Sequence, residues 1–386
     1  MSSAYNETNV YNLAVIKEAK RWNKSQFIDN QQLSVIRETY KVPFYHPNFT
    51  IRIILFVATI LALSGVTGFF FLIFADAGET VMSIAGLFYG VASFVVLEKA
   101  FIGNNHYKSG VTEALLYHAA GCIILGLAGL TDFNPHVIMW SCLFVISFAA
   151  IRYIDMLCTL AAVVSLAAVL FFEFYNMGGI FQQIIPFIFI LGFTPIYFLS
   201  KRLSKRRDLK LWRTNFLIVE HASLLLIYLG GNYLVVRELS VAMLDLQLEP
   251  GQDIPFAIIF YALTVIIPVT YLYFGIKKKD MVLIRVSLIV LALSVFTFKY
   301  YYNFGHPEIT ITIAGVILLL ISIALLNYLK INRDGFTREN LLTEKWAGMN
   351  VEAFVVSQTM GGNQGAAPKV HGGGGSFGGG GASGDY

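Results

Sequence analysis

Apolar runs separated by short polar segments cover the chain from residue 51 to residue 330. Each run is about 18 to 25 residues long, and an α-helix needs about 20 apolar residues to cross a bilayer core of roughly 30 Å. We place these runs at residues 51–75, 79–102, 110–130, 136–153, 155–174, 180–200, 212–236, 255–276, 280–300 and 309–330. The pattern predicts an all-α, polytopic membrane protein with ten transmembrane helices.

The composition supports this class and argues against an ordinary soluble enzyme. Charged residues make up 13% of the sequence and hydrophobic residues 56%, whereas soluble domains are about one quarter charged. The three cysteines, Cys122, Cys142 and Cys158, all fall within predicted spans, where they pack as small apolar side chains. Their spacing predicts neither a disulfide framework nor a metal site, and we expect no cofactor.

Basic residues are concentrated at one end of the predicted bundle. With residues 1–50 inside, the inner segments contain Lys17 to Lys41, the cluster Lys201 to Arg213, and Lys277 to Lys279. Such residues are retained in the cytoplasm during insertion, so we expect both termini in the cytoplasm. The net charge of +4 reports this orientation, and no nucleic-acid partner is needed to explain it. The segment 201–210 is interpreted as a topology-setting loop, with contact to anionic lipid headgroups as the alternative.

Residues 1–50 show helical periodicity outside the membrane. Apolar residues recur at helical spacing from Val10 to Trp22, and a second helix is expected to start at Asp29, which is a good N-cap. Pro43 and Pro47 then separate this unit from the first span. We predict a helical hairpin that packs on the bundle or on another subunit. A DNA-binding helix-turn-helix is disfavoured because acidic residues offset most of its positive charge.

The residues of this hairpin carry a resemblance. The pattern Glu18-Ala-Lys-Arg-Trp22, then Ile28-Asp-Asn-Gln-Gln-Leu33 and Ile36 to Tyr40, followed by a Gly- and Leu-rich first span, resembles the N-terminal region of an uncharacterised family of prokaryotic polytopic membrane proteins. The resemblance covers about the first 75 residues. It implies a bacterial cytoplasmic (inner) membrane protein with a cytoplasmic helical hairpin, and it supplies no catalytic residues.

Ionisable side chains inside the spans are the candidate functional residues, because each costs at least roughly 2.5 to 3.5 kcal/mol at a helix centre. At 1.5 Å per residue, His118 and Glu220 lie about 12 Å from the cytoplasmic end of their spans, and Arg285 about 8 Å. The depths predict a polar cluster in the cytoplasmic half of the bundle. Its members are Glu98, Glu113, His118, Glu220, His221 and Arg285.

Two interpretations of this cluster remain open. In the structural one, Arg285 pairs with a carboxylate and the histidines form hydrogen bonds between helices. In the functional one, Arg285 binds an anionic group in a polar cavity, and Glu113, His118, Glu220 and His221 bind or relay protons. A metal site is disfavoured, since the adjacent residues Glu220 and His221 point about 100° apart on a helix.

The longest outer loop and the C-terminal region are the remaining segments outside the predicted spans. The mixed polar and apolar segment 237–254 predicts a helix on the outer membrane surface. We divide the chain into a hairpin (1–50), a transmembrane domain (51–330), a cytoplasmic segment (331–360) and a Gly-rich tail (361–386). The tail is expected to be disordered, or else to dock in a narrow groove through Phe377 and Tyr386.

The last 15 or so residues carry a second resemblance. Glycine blocks followed by Gly381-Ala-Ser-Gly384, an acidic residue and a final aromatic are similar to tails of TPM-domain and other bacterial membrane proteins. Tails that recur on different bodies imply a shared protein partner. The spacing of Gly381 to Gly384 also fits an intramembrane serine-protease motif, but a flexible polar tail cannot fix the serine against a histidine.

We expect a transport or channel-like function that uses the polar cluster. Helix-interrupting prolines occur in the sixth span, at Pro186 and Pro195, and in the eighth, at Pro268. Interrupted helices line the solute paths of transporters, although prolines more often produce plain kinks. A scaffold or receptor that recruits a cytoplasmic or membrane partner through the tail is the first alternative. A membrane-embedded enzyme is the second, although no HExxH or Gly-rich nucleotide loop is present.

Overall fold

Helices make up nearly all of the computed structural model, which describes residues 3–244 and 252–301 and five single residues between 316 and 327. No β-strand occurs within these ranges, and one isolated bridge joins Tyr45 to His106. The helices are α1 (Glu7–Lys24), α2 (Asn30–Thr39), α3 (Phe49–Phe74), α4 (Glu79–Val96), α5 (Val111–Leu130), α6 (Pro135–Tyr153), α7 (Met156–Met177), α8 (Ile180–Leu203), α9 (Arg213–Gly231), α10 (Tyr233–Leu244), α11 (Ala257–Lys277) and α12 (Met281–Tyr301). A π-helical turn, Leu97–Ile102, extends α4.

The chain is an all-α, multi-pass membrane protein. Within the described residues, nine helices are long and apolar enough to cross a membrane: α3, α4 with its π-helical turn, α5 to α9, α11 and α12. They correspond to the first nine predicted spans. The tenth, 309–330, lies largely outside the described residues, but the five that are described there are helical. The predicted segments 331–360 and 361–386 lie wholly outside.

Local sequence explains where these helices begin and turn. Asp29 and Gln32 form a capping box at the start of α2, as the sequence predicts. Asn134 caps α6, whose first residue is Pro135, and the Asp155 carboxylate accepts the Cys158 N–H at 2.8 Å to cap α7. The tight reversal between α7 and α8 uses two glycines with positive φ, at positions 178 and 179.

The seventh span ends earlier than the sequence pattern predicts. Residues 212–236 read as one apolar run, but α9 stops at Gly231 and α10 begins at Tyr233, with Asn232 extended between them (φ −82°, ψ 122°). The Gly230-Gly231 pair weakens the helix here. A Cβ at Gly230 would lie only 2.8 Å from the Pro186 carbonyl oxygen, so close packing against α8 requires the glycine.

The N-terminal hairpin closes over one end of the bundle, which we call the hairpin end; the opposite end is the far end. The Ala4 N–H donates to the Arg152 carbonyl at the end of α6 (2.8 Å). The Tyr5 ring packs edge-on against Tyr107, with ring centroids 4.9 Å apart. Both rings are buried in a core that α4 to α7 also supply. In this structure the hairpin therefore packs on the bundle, which is one of the two arrangements that the sequence predicts.

The second half of the bundle is arranged around α9. This helix packs against α7, α8, α11 and α12, and its residues enter two separate apolar cores. Pro186 and Pro195 lie inside α8, and Pro268 lies inside α11, so two neighbours of α9 contain helix-interrupting residues. Outward faces of the spans carry large apolar side chains such as Leu191 and Ile258, as contact with a lipid bilayer requires.

Candidate functional site

Glu113 forms a closed set of polar contacts at the hairpin end. It is the third residue of α5, and its Oε2 accepts hydrogen bonds from the Gly110 N–H (2.8 Å) and the Thr112 hydroxyl (2.9 Å). Its other oxygen is ion-paired with Arg52 near the start of α3. Only 7% of the Glu113 side chain is exposed. Since both oxygens have donors, this carboxylate joins α3 to the start of α5.

Glu98 forms a second, separate pair. It lies in the π-helical turn after α4 and accepts from two nitrogens of Arg152, Nε at 2.9 Å and a terminal nitrogen at 3.1 Å. The Tyr153 hydroxyl donates to the same carboxylate at 3.1 Å. This forked geometry is the strongest form of arginine–carboxylate pairing. It fixes the end of α6 against the end of the second span.

His118 contacts neither of these pairs. Its Nε2 lies 2.8 Å from the Thr67 hydroxyl on α3, and its ring packs edge-on against Tyr89 of α4, with centroids 5.2 Å apart. The Cys122 sulfur lies 3.7 Å away, one helical turn along α5. His118 therefore links three spans through neutral groups, which matches the structural interpretation of this residue.

Glu220 differs from Glu98 and Glu113 in having one carboxylate oxygen without a donor among the described residues. It is 3% exposed, and its Oε1 has no hydrogen-bond partner within the described residues. The polar side chains facing it come from α8 (Tyr197, Lys201 and Ser204), from the turn before α12 (Asp280) and from its own neighbour His221. A buried carboxylate with one unsatisfied oxygen is costly to keep ionised, because burial removes its hydration.

An ion pair lies next to Glu220. Lys201 near the end of α8 pairs with Asp280 and donates to the Tyr197 hydroxyl at 2.9 Å. Burial raises the pKa of Asp280, but Lys201 and the backbone N–H groups of Val282 and Leu283 outweigh it, so the pKa lies below its ordinary value. Asp280 is therefore ionised at neutral pH, and Lys201 joins α8 to the turn between α11 and α12.

Among the described residues, neither His221 nor Arg285 forms a hydrogen bond or ion pair with Glu220, Lys201 or Asp280. His221 Nδ1 lies 2.6 Å from the Leu217 carbonyl, which can only accept, so this nitrogen carries the proton. Arg285 lies on an exposed face of α12 and forms no ion pair with any described residue. The predicted pairing of Arg285 with a carboxylate is not seen there; Arg52 and Arg152 fill that role instead.

The structure thus divides the predicted cluster into separate groups. Within the described part of the chain, no hydrogen bond or ion pair joins Glu98, Glu113 or His118 to Glu220, His221 or Arg285. Shared depth does not imply contact, because depth leaves the position around the bundle undetermined. Glu113 and Glu98 fit the structural interpretation, and Glu220 with Lys201 and Asp280 is the group that can change its charge state. The predicted tail anchors Phe377 and Tyr386 lie outside the described residues.

The break between α9 and α10 is a polar site inside an apolar region. Asn232 is 2% exposed, and its amide nitrogen donates to the Tyr228 hydroxyl (2.8 Å) and the Thr297 hydroxyl (2.9 Å). Its amide oxygen accepts the Val235 N–H at 3.1 Å and so caps α10. The freed Tyr233 N–H donates to Thr264 of α11 at 2.9 Å. The Asn232 and Thr264 side chains thus satisfy backbone N–H groups at the break, and Tyr228 and Thr297 hold the Asn232 amide in place.

A cavity of about 470 Å³ lies beside this break. It is bounded mainly by α7, α8, α9 and α10, and its wall includes Pro186 and Gly230, the two residues in close approach at the break. The remaining wall is almost entirely apolar, with Gln182 and Ser240 as polar exceptions. The size and lining suit a ligand with an apolar body and few polar groups.

A packed layer separates the cavity from Glu220. Phe189 lines the cavity, Phe193 is fully buried one helical turn further along α8, and Tyr197 faces Glu220 one turn beyond that. Phe193 packs with Ala222 and Ile227 of α9 in one apolar core. The route from the cavity to the charged group is therefore closed in this structure.

Lys201, Asp280 and Asn232 were missed by reasoning from the sequence. Lys201 is counted with the basic segment 201–210 that sets membrane orientation, and Asp280 is the first residue of the predicted span 280–300. Their position at the hairpin ends of neighbouring spans is the signal that would have suggested pairing. Asn232 follows two glycines inside an apolar run, which is a signal for a helix end. Among the described residues, no three His, Cys, Asp or Glu side chains are grouped closely enough to hold a metal ion.

Comparisons with known proteins add no further assignment: no family model matches the chain, and neither a curated protein nor a solved structure does.

Proposed function

We propose that this chain is a transporter in which α8 and α9 bound the solute path and Glu220 binds the coupling proton. The observation that carries the proposal is the buried Glu220 carboxylate, whose Oε1 has no described partner although an ion pair lies beside it. Intramembrane ionisable residues of this kind mark proton relays and ion pathways.

The charge change at Glu220 gives the proposal a mechanism. When Glu220 is protonated it is neutral, and Lys201 stays with Asp280 as in the structure. When Glu220 loses its proton, two carboxylates compete for the single ammonium group of Lys201. Because Lys201 joins α8 to the turn before α12, a change of partner shifts those elements relative to α9. Protonation is thereby linked to the packing that closes the route at Phe193.

The solute class follows from the cavity and the helix break. Discontinuous helices border the substrate sites of many secondary transporters, and the break at Asn232 adjoins the 470 Å³ cavity. The wall offers extensive apolar contact and few hydrogen-bonding groups. We therefore propose a solute with an apolar body, such as an aromatic cation or another amphipathic molecule.

The proposed setting is the cytoplasmic membrane of a bacterium, with the hairpin end in the cytoplasm. The basic residues of segments 1–50, 201–213 and 277–279 support this orientation. The recruitment of a protein partner through residues 361–386 stays a prediction, since those residues lie outside the described part of the chain. The same holds for a membrane-embedded enzyme, which no described feature favours.

Transport is tested with purified protein in liposomes that contain a pH-sensitive dye and carry an imposed pH gradient. Ethidium and rhodamine 6G are the probes, because both have apolar aromatic bodies. We expect the protein to accelerate gradient-driven movement of at least one probe, with matching proton flux. Glu220→Gln should abolish the coupling between probe and proton, because an amide cannot bind and release a proton at neutral pH.

Glu18→Gln is the matched control, since Glu18 is an exposed carboxylate on the hairpin. It should leave probe movement and proton flux unchanged. If neither probe moves faster than in empty liposomes, the proposed solute class is wrong. If Glu220→Gln transports with unchanged proton coupling, the role assigned to Glu220 is wrong. Thermal unfolding of both variants checks that they are folded.

A further inference from the structure

A second pocket, of about 840 Å³, lies at the hairpin end of α8, beside the turn between α11 and α12. We call it the basic pocket. Its apolar wall consists of Pro195, Phe198 and Leu199 on α8 with the Tyr197 ring, and its rim carries Lys201, Arg202, Lys205 and Lys278. It shares Lys201 with the Glu220 group but faces outward from the bundle.

Three cations on the rim have no neutralising partner among the residues that the structure describes. Lys201 is paired with Asp280, whereas Arg202, Lys205 and Lys278 are exposed, and none of these three forms an ion pair within residues 3–244 and 252–301. Lys278 lies over the Phe274 ring, 5.1 Å from its centroid, which holds the ammonium group close to an apolar surface. Cations gathered in this way create a strongly positive recess that favours an anion.

The apolar wall indicates what kind of anion fits. Phe198 and Leu199 are 60% and 57% exposed, and they lie about one turn nearer the membrane interior than the cations. In a membrane protein, such side chains face acyl chains, while lysine and arginine at the end of a span face the headgroups. Positive charge and apolar surface are therefore stacked in the same order as the phosphate and acyl chains of a phospholipid.

We infer that the basic pocket binds an anionic phospholipid. Its phosphate lies among Arg202, Lys205 and Lys278, and an acyl chain lies along Phe198 and Leu199. The planar guanidinium group of Arg202 can donate two parallel hydrogen bonds to a phosphate, and the two lysines add point charges. A free phosphate ion would use the cations alone and leave the apolar wall empty. This inference is independent of the proposed transport function.

The test is native mass spectrometry of the full chain in detergent, with dioleoyl phosphatidylglycerol and dioleoyl phosphatidylcholine added in equal amounts. We expect retention of phosphatidylglycerol at least about tenfold above phosphatidylcholine, since each cation at an anionic surface contributes about fivefold. The combined variant Arg202→Gln, Lys205→Gln and Lys278→Gln should lose this preference.

The control variant carries Lys24→Gln, Arg37→Gln and Lys41→Gln, which remove the same charge from exposed hairpin residues. It should keep the preference for phosphatidylglycerol. An equal loss in both variants would overturn the inference in favour of a general positive field. Displacement of the lipid by millimolar inorganic phosphate would also overturn it, because the cations alone would then account for binding. Phe198→Ser with the cations intact should weaken lipid retention, and unchanged retention would likewise contradict the assigned acyl-chain contact.

Discussion

Glu113 and Glu220 are both buried carboxylates on membrane-spanning helices, but their surroundings give them different roles. Glu113 receives donors on both oxygens, from a backbone N–H, a hydroxyl and Arg52. Glu220 keeps one oxygen without a partner in the described residues. A fully satisfied buried carboxylate stabilises one arrangement, and removing a donor from it leaves an uncompensated charge. Because its Oε1 has no donor within the described residues, Glu220 can gain a proton at that oxygen without losing a hydrogen bond.

At this scale we predict that Arg52→Gln destabilises the protein. The variant leaves the buried Glu113 carboxylate without its cation, at a cost of about 1–3 kcal/mol. Glu113→Gln should cost less than Glu113→Ala, since the amide oxygen still accepts from Gly110. Thermal unfolding of the purified protein in detergent measures all three variants.

Arg206→Gln provides the comparison for Arg52→Gln, because Arg206 forms an ion pair with Asp208 in which both side chains are exposed. Exposed pairs contribute little to stability, so no measurable shift is expected. Equal shifts for Arg52→Gln and Arg206→Gln would mean that the Arg52 pair does not stabilise the bundle.

Sequence reasoning at the residue scale found the carboxylates, but the pairing of Arg285 with one of them, which is one of two open interpretations, is not seen among the described residues. Burial of Glu113 and Glu220 follows from their position inside apolar runs. The partner of Glu113 depends on which helices are neighbours, and helical periodicity in one span carries no such information. The sequence places Arg285 at a depth close to that of the carboxylates, which is why it is considered as their partner. Depth alone does not distinguish a cation facing inward from one on an exposed face.

At the scale of elements, the join between α3 and α5 depends on one glycine. Gly110 precedes α5 with φ +91°, and a Cβ there would overlap the carbonyl oxygen of Arg52. The Gly110 N–H also donates a hydrogen bond to the Glu113 carboxylate. Close approach of the two backbones and the Arg52–Glu113 pair therefore depend on the same position, which only glycine can occupy without displacing α3.

We predict that Gly110→Ala destabilises the protein more than Gly78→Ala does. Gly78 also has positive φ (+88°), but a Cβ there would meet nothing within 4 Å. Both variants incur about 1–3 kcal/mol for a positive-φ backbone that residues with a Cβ rarely adopt. Gly110→Ala adds an overpacking cost of about 1–3 kcal/mol. The difference in unfolding temperature between the two variants measures the effect of the close contact between Gly110 and the Arg52 backbone. Equal unfolding temperatures would show that this contact does not need glycine.

Element boundaries were predictable where caps or glycine turns mark them, as at Asp29 and at the turn after α7. The break at Asn232 was not, because the surrounding residues are apolar and hydropathy alone continues the span to residue 236. The amide that stabilises the break receives its partners from α9 and α12, including Thr297, which lies 65 residues away along the chain. A short stretch of sequence around Asn232 contains no information about contacts with residues so far along the chain.

At the scale of the whole molecule, the two halves of the bundle meet at the turn between α6 and α7. The Trp212 indole N–H donates to the Ile151 carbonyl at 2.9 Å, and the Asn215 amide donates to the Thr159 hydroxyl at 2.7 Å. Residues just before and within α9 thus attach the second half to the first at the hairpin end. Neither hydrogen bond involves the Glu98 or Glu113 pair.

The orientation of the whole molecule is testable by labelling. In a variant whose three native cysteines are replaced by serine, Ala77→Cys should react with a membrane-impermeant maleimide in intact spheroplasts. Lys24→Cys should react only after permeabilisation, because the basic hairpin is expected in the cytoplasm. Both positions are exposed. The opposite labelling pattern would reverse the proposed orientation.

The hydrogen bond from Ala4 to the Arg152 carbonyl has a consequence for synthesis in the cell. The two residues are separated by 148 positions, and ribosomes add roughly 5 to 20 residues per second, so the acceptor is made roughly 7 to 30 s after the donor. Until then the core around Tyr5 lacks its α6 residues Ala149, Ala150 and Tyr153. The hairpin can therefore close only after the fourth span has been made and correctly placed. We expect a chain whose spans are inserted in the wrong order to leave α1 accessible to proteases.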